Sequence, residues 1–258
     1  MSEKLITPFG EKVIKSIESF GNFVVMSLQV FTQLLKGRIH FRNTIQQFAF
    51  IGADSLPIVI LTSLAVGSVF CLQVSNQFIK FGAVSFIGGT TAMAIVRELG
   101  PMITAVVVAG RVGAAITAEI GSMKVTEQID ALSAMAISPL YYLVIPRMLA
   151  CLIMLPMLSI ISVGLGILGG GLICVGVKGI VAVVYVDSVR SWLVLIDIFK
   201  AMLKACIFGL IISLVACYQG LNTGKGAQGV GLATTTSVVV SLISIFISNY
   251  FLSAIMFP

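Results

Sequence analysis

The sequence predicts an all-α integral membrane protein, with an N-terminal interfacial helix, about five transmembrane helices and a short cytoplasmic helix between two of them. Three observations predict it. Apolar residues make up 58% of the chain and charged residues only 10%, whereas soluble domains carry about 25% charged residues. The apolar residues gather in five stretches, each longer than the roughly 20 residues that a helix needs to cross a bilayer. The cations behind the formal net charge of +6 flank those stretches and form no separate basic domain, so they orient a chain in a membrane and do not indicate nucleic acid. A β-barrel would instead show segments of about 10 residues alternating in polarity.

Residues 1–47 read as the interfacial segment and residues 48–258 as one transmembrane domain. From Val13 to Leu35, the positions Val13, Ile17, Phe20, Val24, Leu28, Phe31 and Leu35 define one helical face, and Lys12, Lys15, Glu18, Asn22, Gln29 and Gln33 interrupt the remainder. A helix lying in the membrane interface fits this pattern, with a tilted first span as the alternative. KGRIHFR, residues 36–42, then sets three cations beside the bilayer. The spans are expected at 49–75, 83–118, 143–177, 192–218 and 232–257. With the N-terminus inside, nine Lys and Arg face inward and only Lys80, Lys178 and Arg190 face outward, so the positive-inside rule predicts N-in and C-out. The second and third stretches run to about 35 residues, longer than a straight crossing requires. They must tilt, project beyond the bilayer or break, with Gly100 and Pro101 the candidate break in one, and Pro156 with GLGILGGG, residues 164–171, in the other.

Several chemistries find no support. Cys71, Cys151, Cys174, Cys206 and Cys217 lie in apolar runs without C-x-x-C spacing, so they read as small apolar fillers. No metal site is expected: the single His40 sits in the basic stretch without companions. GLGILG matches a dinucleotide fingerprint only formally, because no strand precedes it, and close helix packing is the better reading. GLNTGKGAQG, residues 220–229, fails the phosphate-loop motif at Gln219 and Gly226. No nucleophile, base or metal constellation indicates an enzyme, and no catalytic residue is expected. MSEKLITPFGEK lacks a short apolar core with a cleavage site, and no Ser/Arg-rich transit pattern follows. The chain is therefore expected to be made where it works, in a bacterium or from an organelle's own genome.

The informative residues are charges inside apolar stretches. Arg97 and Glu98 fall within the second, where a lone charge costs at least about 2.5 to 3.5 kcal/mol. They must face protein or water, which makes them substrate-path candidates; the alternative is a buried pair that fixes helix register. Adjacent helical residues point about 100° apart, so each is expected to meet a different partner. Asp197, Lys200 and Lys204 share one face of the fourth stretch. Asp197 and Lys200 are placed to snorkel to the outer interface. Lys204 falls about 7 Å below that edge, where it would approach Glu98 or, by preference, line a cavity with it. GSMKVTEQIDALSAMAISP, residues 121–139, has the pattern of a surface helix over about 122–137, with Val125, Ile129 and Leu132 on one face, a local cap at Thr126 and a stop at Pro139.

RELGPMITAVVVAGRVGAAITAEIGSMKVTEQIDALSAM, with Pro139 and YLVIPRMLA at residues 142–150, closely resembles the signature of MlaE-type permeases, the membrane subunits of lipid ABC transporters associated with MCE-domain proteins. CYQGLNTGKGAQGVGLATTTSVVVSLISIFISNYFL, residues 217–252, is similar to that family's C-terminal segment. The resemblance implies a homodimer bound to two cytoplasmic ABC ATPases, with an MCE-domain lipid-binding protein on the far side and phospholipid or a related polar lipid as substrate. No cofactor is expected on this chain; ATP is used by the partner ATPase. The resemblance makes Val125 to Met135 the coupling helix and Arg111, Glu119, Thr126, Glu127, Gln128 and Asp130 the ATPase-coupling candidates, and it places Arg97, Glu98 and Lys204 near the lipid path. It also implies a bacterial inner membrane or a plastid inner envelope, with the N-terminus cytoplasmic or stromal. The sequence departs from the family pattern at Leu232 and Thr236, where relatives commonly carry arginines, and at Asn249, where an aspartate is usual. Without that carboxylate, no charge network from the last span to Lys204 is expected. The competing class is an ion-gradient-driven secondary transporter of an amphipathic solute, with Glu98 and Asp54 handling the ion, although the inverted repeats usual in such folds are not detected.

Overall fold

The computed structural model describes residues 3–35 and 41–257, and within this range it contains helices and no strand. His40 and the cations Lys36 and Arg38 lie outside the described residues, as do the side chains of Val13, Lys12 and Lys15. The elements in chain order are α1, Glu3–Leu35; α2, Phe41–Ile51; α3, Leu56–Lys80; α4, Val84–Val125; α5, Gln128–Ala134; α6, Leu140–Gly176; α7, Ala182–Trp192; α8, Leu195–Leu221; and α9, Gly226–Met256. Five helical stretches, Arg42–Lys80 (α2 with α3), α4, α6, α8 and α9, are long and apolar enough to cross a membrane. The protein is an all-α integral membrane protein. The expected boundary between residues 47 and 48 falls inside α2.

The two expected breaks do not occur. α4 runs for 42 residues, roughly 63 Å, and it accommodates Gly100 and Pro101 by widening to π-helical turns at Ile95–Leu99 and Ala109–Gly113. The Gly100 N–H reaches back to Ile95 C=O, five residues earlier, so the ladder shifts register just ahead of the proline that lacks an N–H. α6 is likewise continuous, with a π-helical turn at Leu140–Val144 and Pro156 inside the helix.

Small residues let α3 and α6 meet at backbone distance. A Cβ on Gly67 would collide with the Gly166 backbone, and one on Gly169 would stand 2.6 Å from Leu64 O. Ser63 Oγ donates to Ser162 Oγ at 2.7 Å, and Ser68 Oγ to Gly169 O at 3.1 Å. GLGILGGG is thus a packing surface, as small-residue stripes in membrane helices commonly are. On α8, Gly209 approaches Cys151 O and Gly220 approaches Ile120. Thr117 Oγ1 lies 2.8 Å from Ser237 Oγ and 3.1 Å from Ala216 O, joining α4, α8 and α9.

Three expectations about the connections need correction. The surface helix is only seven residues long, because α4 continues to Val125 and the chain turns through left-handed conformations at Glu127 (φ 59°) and Ala136 (φ 58°). Thr126 does not cap α5, since its hydroxyl donates back to Ser122 O at 2.9 Å. α5 therefore ends before Pro139 is reached. The fourth span starts at Leu195, and the residues before it form α7, a helix the sequence pattern did not reveal. α7 seats Tyr185 Oη on Ile167 O at 2.9 Å and Ser188 Oγ on Gly89 N at 2.8 Å.

α1 lies along α8, held by Tyr218 Oη donating to Ser19 O at 2.9 Å and by an edge-to-face contact of Phe23 with Tyr218. Its expected apolar face, Ile17, Phe20, Val24, Leu28, Phe31 and Leu35, is exposed, and it buries Met26 and Val30 instead. The packing of α3 on α6 gives a direct test. Gly169→Leu should lower the melting temperature in detergent by roughly 2 to 12 °C, since overpacking costs about 1 to 3 kcal/mol and each kcal/mol is worth about 2 to 4 °C in a chain of this size. Gly164→Leu in the same motif, where an added Cβ meets nothing within 4 Å, should leave it nearly unchanged.

Candidate functional site

The charged residues predicted from sequence converge at the end of the bundle that carries α7. The first π-helical turn of α4 holds Arg97 and Glu98, and they pair with different residues of α8. Arg97 donates through Nε and Nη2 to Asp197 Oδ2 at 3.1 and 2.8 Å. Glu98 Oε2 lies 2.9 Å from Lys204 Nζ. Asp197, Lys200 and Lys204 are spaced by three and four residues, so one face of α8 presents all three to α4.

Lys204 has no exposed surface, and each of its donors finds an oxygen. Besides Glu98, its ammonium bonds Ser253 Oγ at 2.7 Å and Arg97 O at 3.0 Å. That carbonyl is four residues before Pro101, which has no N–H to offer it. The proline and the π-helical turn therefore present a backbone acceptor to the buried cation. Lys204 does not line a cavity, contrary to the preferred expectation. A charge removed from water is tolerated where its hydrogen bonds are complete, and here protein groups complete them.

One further expectation is corrected. Asp197 does not snorkel; it is buried against Arg97. The last span brings no charge to the cluster, as the absence of the aspartate implies, but it joins by hydrogen bonds from neutral groups. Asn249 Nδ2 donates to Glu98 Oε2 at 2.9 Å, and Ser253 Oγ, one turn on, lies 2.6 Å from Glu98 Oε1. Met256 and Phe257 close the group: Lys200 Nζ donates to Met256 O at 2.5 Å, and the Phe257 ring lies 5.1 Å from the Arg97 guanidinium carbon. Sequence reasoning missed Ser253 and Phe257. The spacing of Ser253 four residues after Asn249 was a usable signal for the first, whereas nothing marks the second.

The coupling candidates separate into two groups. Thr126, Glu127, Gln128 and Asp130 are exposed together at the turn between α4 and α5, where Lys124 Nζ bonds Asp130 Oδ1 at 3.1 Å. The loop Asn222–Lys225 packs beside them, and Lys124, Glu127, Asp130, Thr223 and Lys225 help line a cavity of about 380 Å³. Arg111 and Glu119 stand elsewhere, Arg111 partly buried and Glu119 exposed. Arg111, in the second π-helical turn, bonds Ser55 Oγ at 2.8 Å and Phe50 O at 3.1 Å and pairs with Asp54 at 3.5 Å, fixing the joint between α2 and α3. Glu119 lies 2.8 Å from buried Arg147. Both carboxylates considered for ion handling, Glu98 and Asp54, are thus already matched by cations.

A larger cavity of about 780 Å³ lies between α1, α8 and α9. Phe20, Phe23, Leu210, Leu214 and Tyr218 give it an apolar wall. Its lining reaches Ile207 and Ser248, within one helical turn of Lys204 and Asn249. Among the described residues no group of three or more His, Cys, Asp or Glu side chains is arranged to hold a metal ion.

Comparison with known proteins agrees with this architecture. The sequence profile described as "Permease MlaE" matches residues 44–255. A probable ABC transporter permease protein of Synechocystis sp. is 47% identical over 229 residues, covering 89% of this chain and 87% of that protein. One from Rickettsia typhi is 41% identical over 248 residues, covering 96% of both. The protein named TRIGALACTOSYLDIACYLGLYCEROL 1, chloroplastic, of Arabidopsis thaliana is 42% identical over 233 residues, covering 90% of this chain and 67% of that protein.

The geometry makes the Glu98–Lys204 pair asymmetric. Glu98→Gln leaves a fully buried ammonium facing neutral groups, and removing one partner of a buried pair costs roughly 3 to 5 kcal/mol. Lys204→Met leaves a half-exposed carboxylate that keeps its Ser253 and Asn249 donors, so it should cost less. Thermal unfolding in detergent should rank Glu98→Gln below Lys204→Met, with the double variant recovering part of the loss. The reverse ranking would mean that Glu98, and not Lys204, is the group the fold is built to neutralise.

Proposed function

Given that the chain belongs to the MlaE permease family and is an ABC transporter permease, we propose that it moves phospholipids or related polar lipids between membranes, driven by ATP hydrolysis in a partner subunit. The observation that carries this reading is an apolar cavity and a charged cluster lying close together along α8 and α9. A long apolar cavity between α1, α8 and α9 ends within a turn of a cluster of charged and polar groups. Acyl chains fit an apolar wall and a headgroup fits a few charges embedded in it, so an amphiphile matches the whole. The Arabidopsis relative is named for trigalactosyldiacylglycerol, itself a glycerolipid, which supports the same substrate class.

In this reading α5 and the exposed residues Thr126, Glu127, Gln128 and Asp130 are gripped by a cytoplasmic ABC ATPase. α4 is the lever. It runs without a break from the α5 turn to the π-helical turn holding Arg97 and Glu98, a distance of roughly 40 Å. A displacement of α5 is carried to the charged cluster and reopens its contacts with α8 and α9. Two such chains form a homodimer, an MCE-domain protein receives or delivers lipid on the far side, and the N-terminus is cytoplasmic or stromal. The setting is a bacterial inner membrane or a plastid inner envelope.

The test is a mild-detergent pull-down of the tagged protein, with mass spectrometry of co-purifying proteins and lipids, followed by reconstituted transport. An ABC ATPase, an MCE-domain protein and enriched phospholipid are the expected companions. Arg97→Ala and Glu98→Ala should reduce ATP-dependent lipid transfer more than tenfold while the complex still assembles. Gln128→Ala combined with Asp130→Ala should weaken ATPase capture instead. A lipid-free homomer that transports without ATP would overturn the proposal.

A further inference from the structure

The two helices that carry α5 rest on different neighbours where they approach it. Over Ala114–Val125, α4 packs on α8 and α9, whereas α6 packs on α3 and α8; α4 packs on α6 higher up, over Gly100–Val108. Arg147 bridges the two near α5. Its Nη2 donates to Glu119 Oε2 and its Nη1 to Leu143 O, both at 2.8 Å. One guanidinium thus holds a side chain of α4 and the π-helical turn that opens α6. Glu119 lies six residues before the end of α4 and Arg147 seven after the start of α6, roughly 9 and 10 Å along their helices. The bond therefore joins both arms at matching distances from α5. It is not placed for stability alone. The Arg147 side chain is 7% exposed, and among the described residues its buried Nε has no hydrogen-bond partner, which carries a desolvation cost. Replacing a buried ion pair by apolar residues is often neutral or stabilising, so what the pair contributes is geometry.

We infer that Arg147 is a positioning residue for energy coupling: its bond to Glu119 makes α4 and α6 move together when a partner ATPase displaces α5. The inference rests on the ATPase-driven reading above and adds the residue through which α5 acts on both arms at once. α5 is a short, well-anchored handle. Glu127 and Ala136, at its two ends, are left-handed, and backbone bonds close both turns, Glu127 N–H to Lys124 O at 3.2 Å and Ile137 N–H to Leu132 O at 3.0 Å. A displacement of α5 is delivered to the ends of both arms. Without a tie, α6 would yield at its π-helical turn, where the hydrogen-bond ladder is already widened, and α4 would slide on α8 and α9 alone. With the tie, Leu143 and Glu119 are fixed to one planar group with directed donors, which a guanidinium supplies and an ammonium does not.

The test uses the full-length permease in complex with its ATPase, reconstituted in phosphatidylethanolamine and phosphatidylglycerol vesicles, with ATP hydrolysis and transfer of a fluorescent phospholipid measured on the same sample. Arg147→Lys keeps the charge and loses the two-pronged bond, so the ATP hydrolysed per lipid transferred should rise at least about threefold with the complex assembled. Glu119→Asp keeps the charge and withdraws the carboxylate, with the same expected result. Exchanging the pair, Glu119→Arg with Arg147→Glu, should return the ratio to within about twofold of the unmodified protein. An unchanged ratio in Arg147→Lys overturns the inference, as does an unchanged ratio in Glu119→Asp where Arg147→Lys does not assemble. Failure of both single variants to assemble makes the pair structural and overturns it too, and so does an exchanged pair that assembles and stays uncoupled. An unmodified protein that captures no ATPase, or transfers lipid without ATP, overturns the ATPase-driven reading and the inference with it.

Discussion

A lysine with no exposed surface, set among apolar helices, must have its charge and all its donors satisfied by protein, and the arrangement of the surrounding helices follows from that requirement. Lys204, on α8, draws on two other helices at once: Glu98 and the Arg97 carbonyl from α4, and Ser253 from α9. Losing any of these acceptors leaves an ion in a medium where an isolated charge is costly. The network therefore fixes where α4 and α9 lie against α8, as well as neutralising one residue. Pro101 belongs to this design. Its missing N–H and the π-helical turn before it present the carbonyl that the lysine uses.

Close backbone packing makes that geometry rigid enough to matter. Glycines on α6 and α3 bring the two helices together until serine hydroxyls bond across the interface. In hydrocarbon such contact is one of the few sources of helix association, because apolar side chains gain little by leaving lipid for protein. The result is a frame against which an unbroken α4 can move as one body. α1 and α9 leave much of their apolar surface exposed, and they border the large apolar cavity.

The two ends of α4 thus have different chemistry and one connection. At one end an exposed turn with Glu127 in a left-handed conformation joins α4 to α5. At the other, charges of both signs pair with one another, about one helical turn from residues that line an apolar cavity. π-helical turns mark the positions where Arg97, Glu98 and Arg111 leave the helix, and such turns re-aim side chains without ending a helix. A permease that couples a soluble motor to an amphiphile needs this combination of a stiff element and locally re-aimed charges.

The sequence by itself determined the class of the protein and the identity of its unusual residues. Composition and stretch length are enough for five apolar helices, because the bilayer demands about 20 apolar residues per crossing whatever the tertiary packing. Arg97, Glu98 and Lys204 stood out for the same reason, since charge is rare where hydrocarbon is the solvent. The partners of those charges were not legible. Asp197 looked like an interfacial residue, Asn249 looked like a break in the network, and Phe257 carried no signal, because pairing depends on which faces of α4, α8 and α9 meet. The expected breaks at Pro101 and Pro156 failed for a related reason: whether a proline ends a helix depends on what donates to the carbonyls it leaves behind. Only the tertiary structure decided that, by bringing a lysine from α8 to the carbonyl of Arg97.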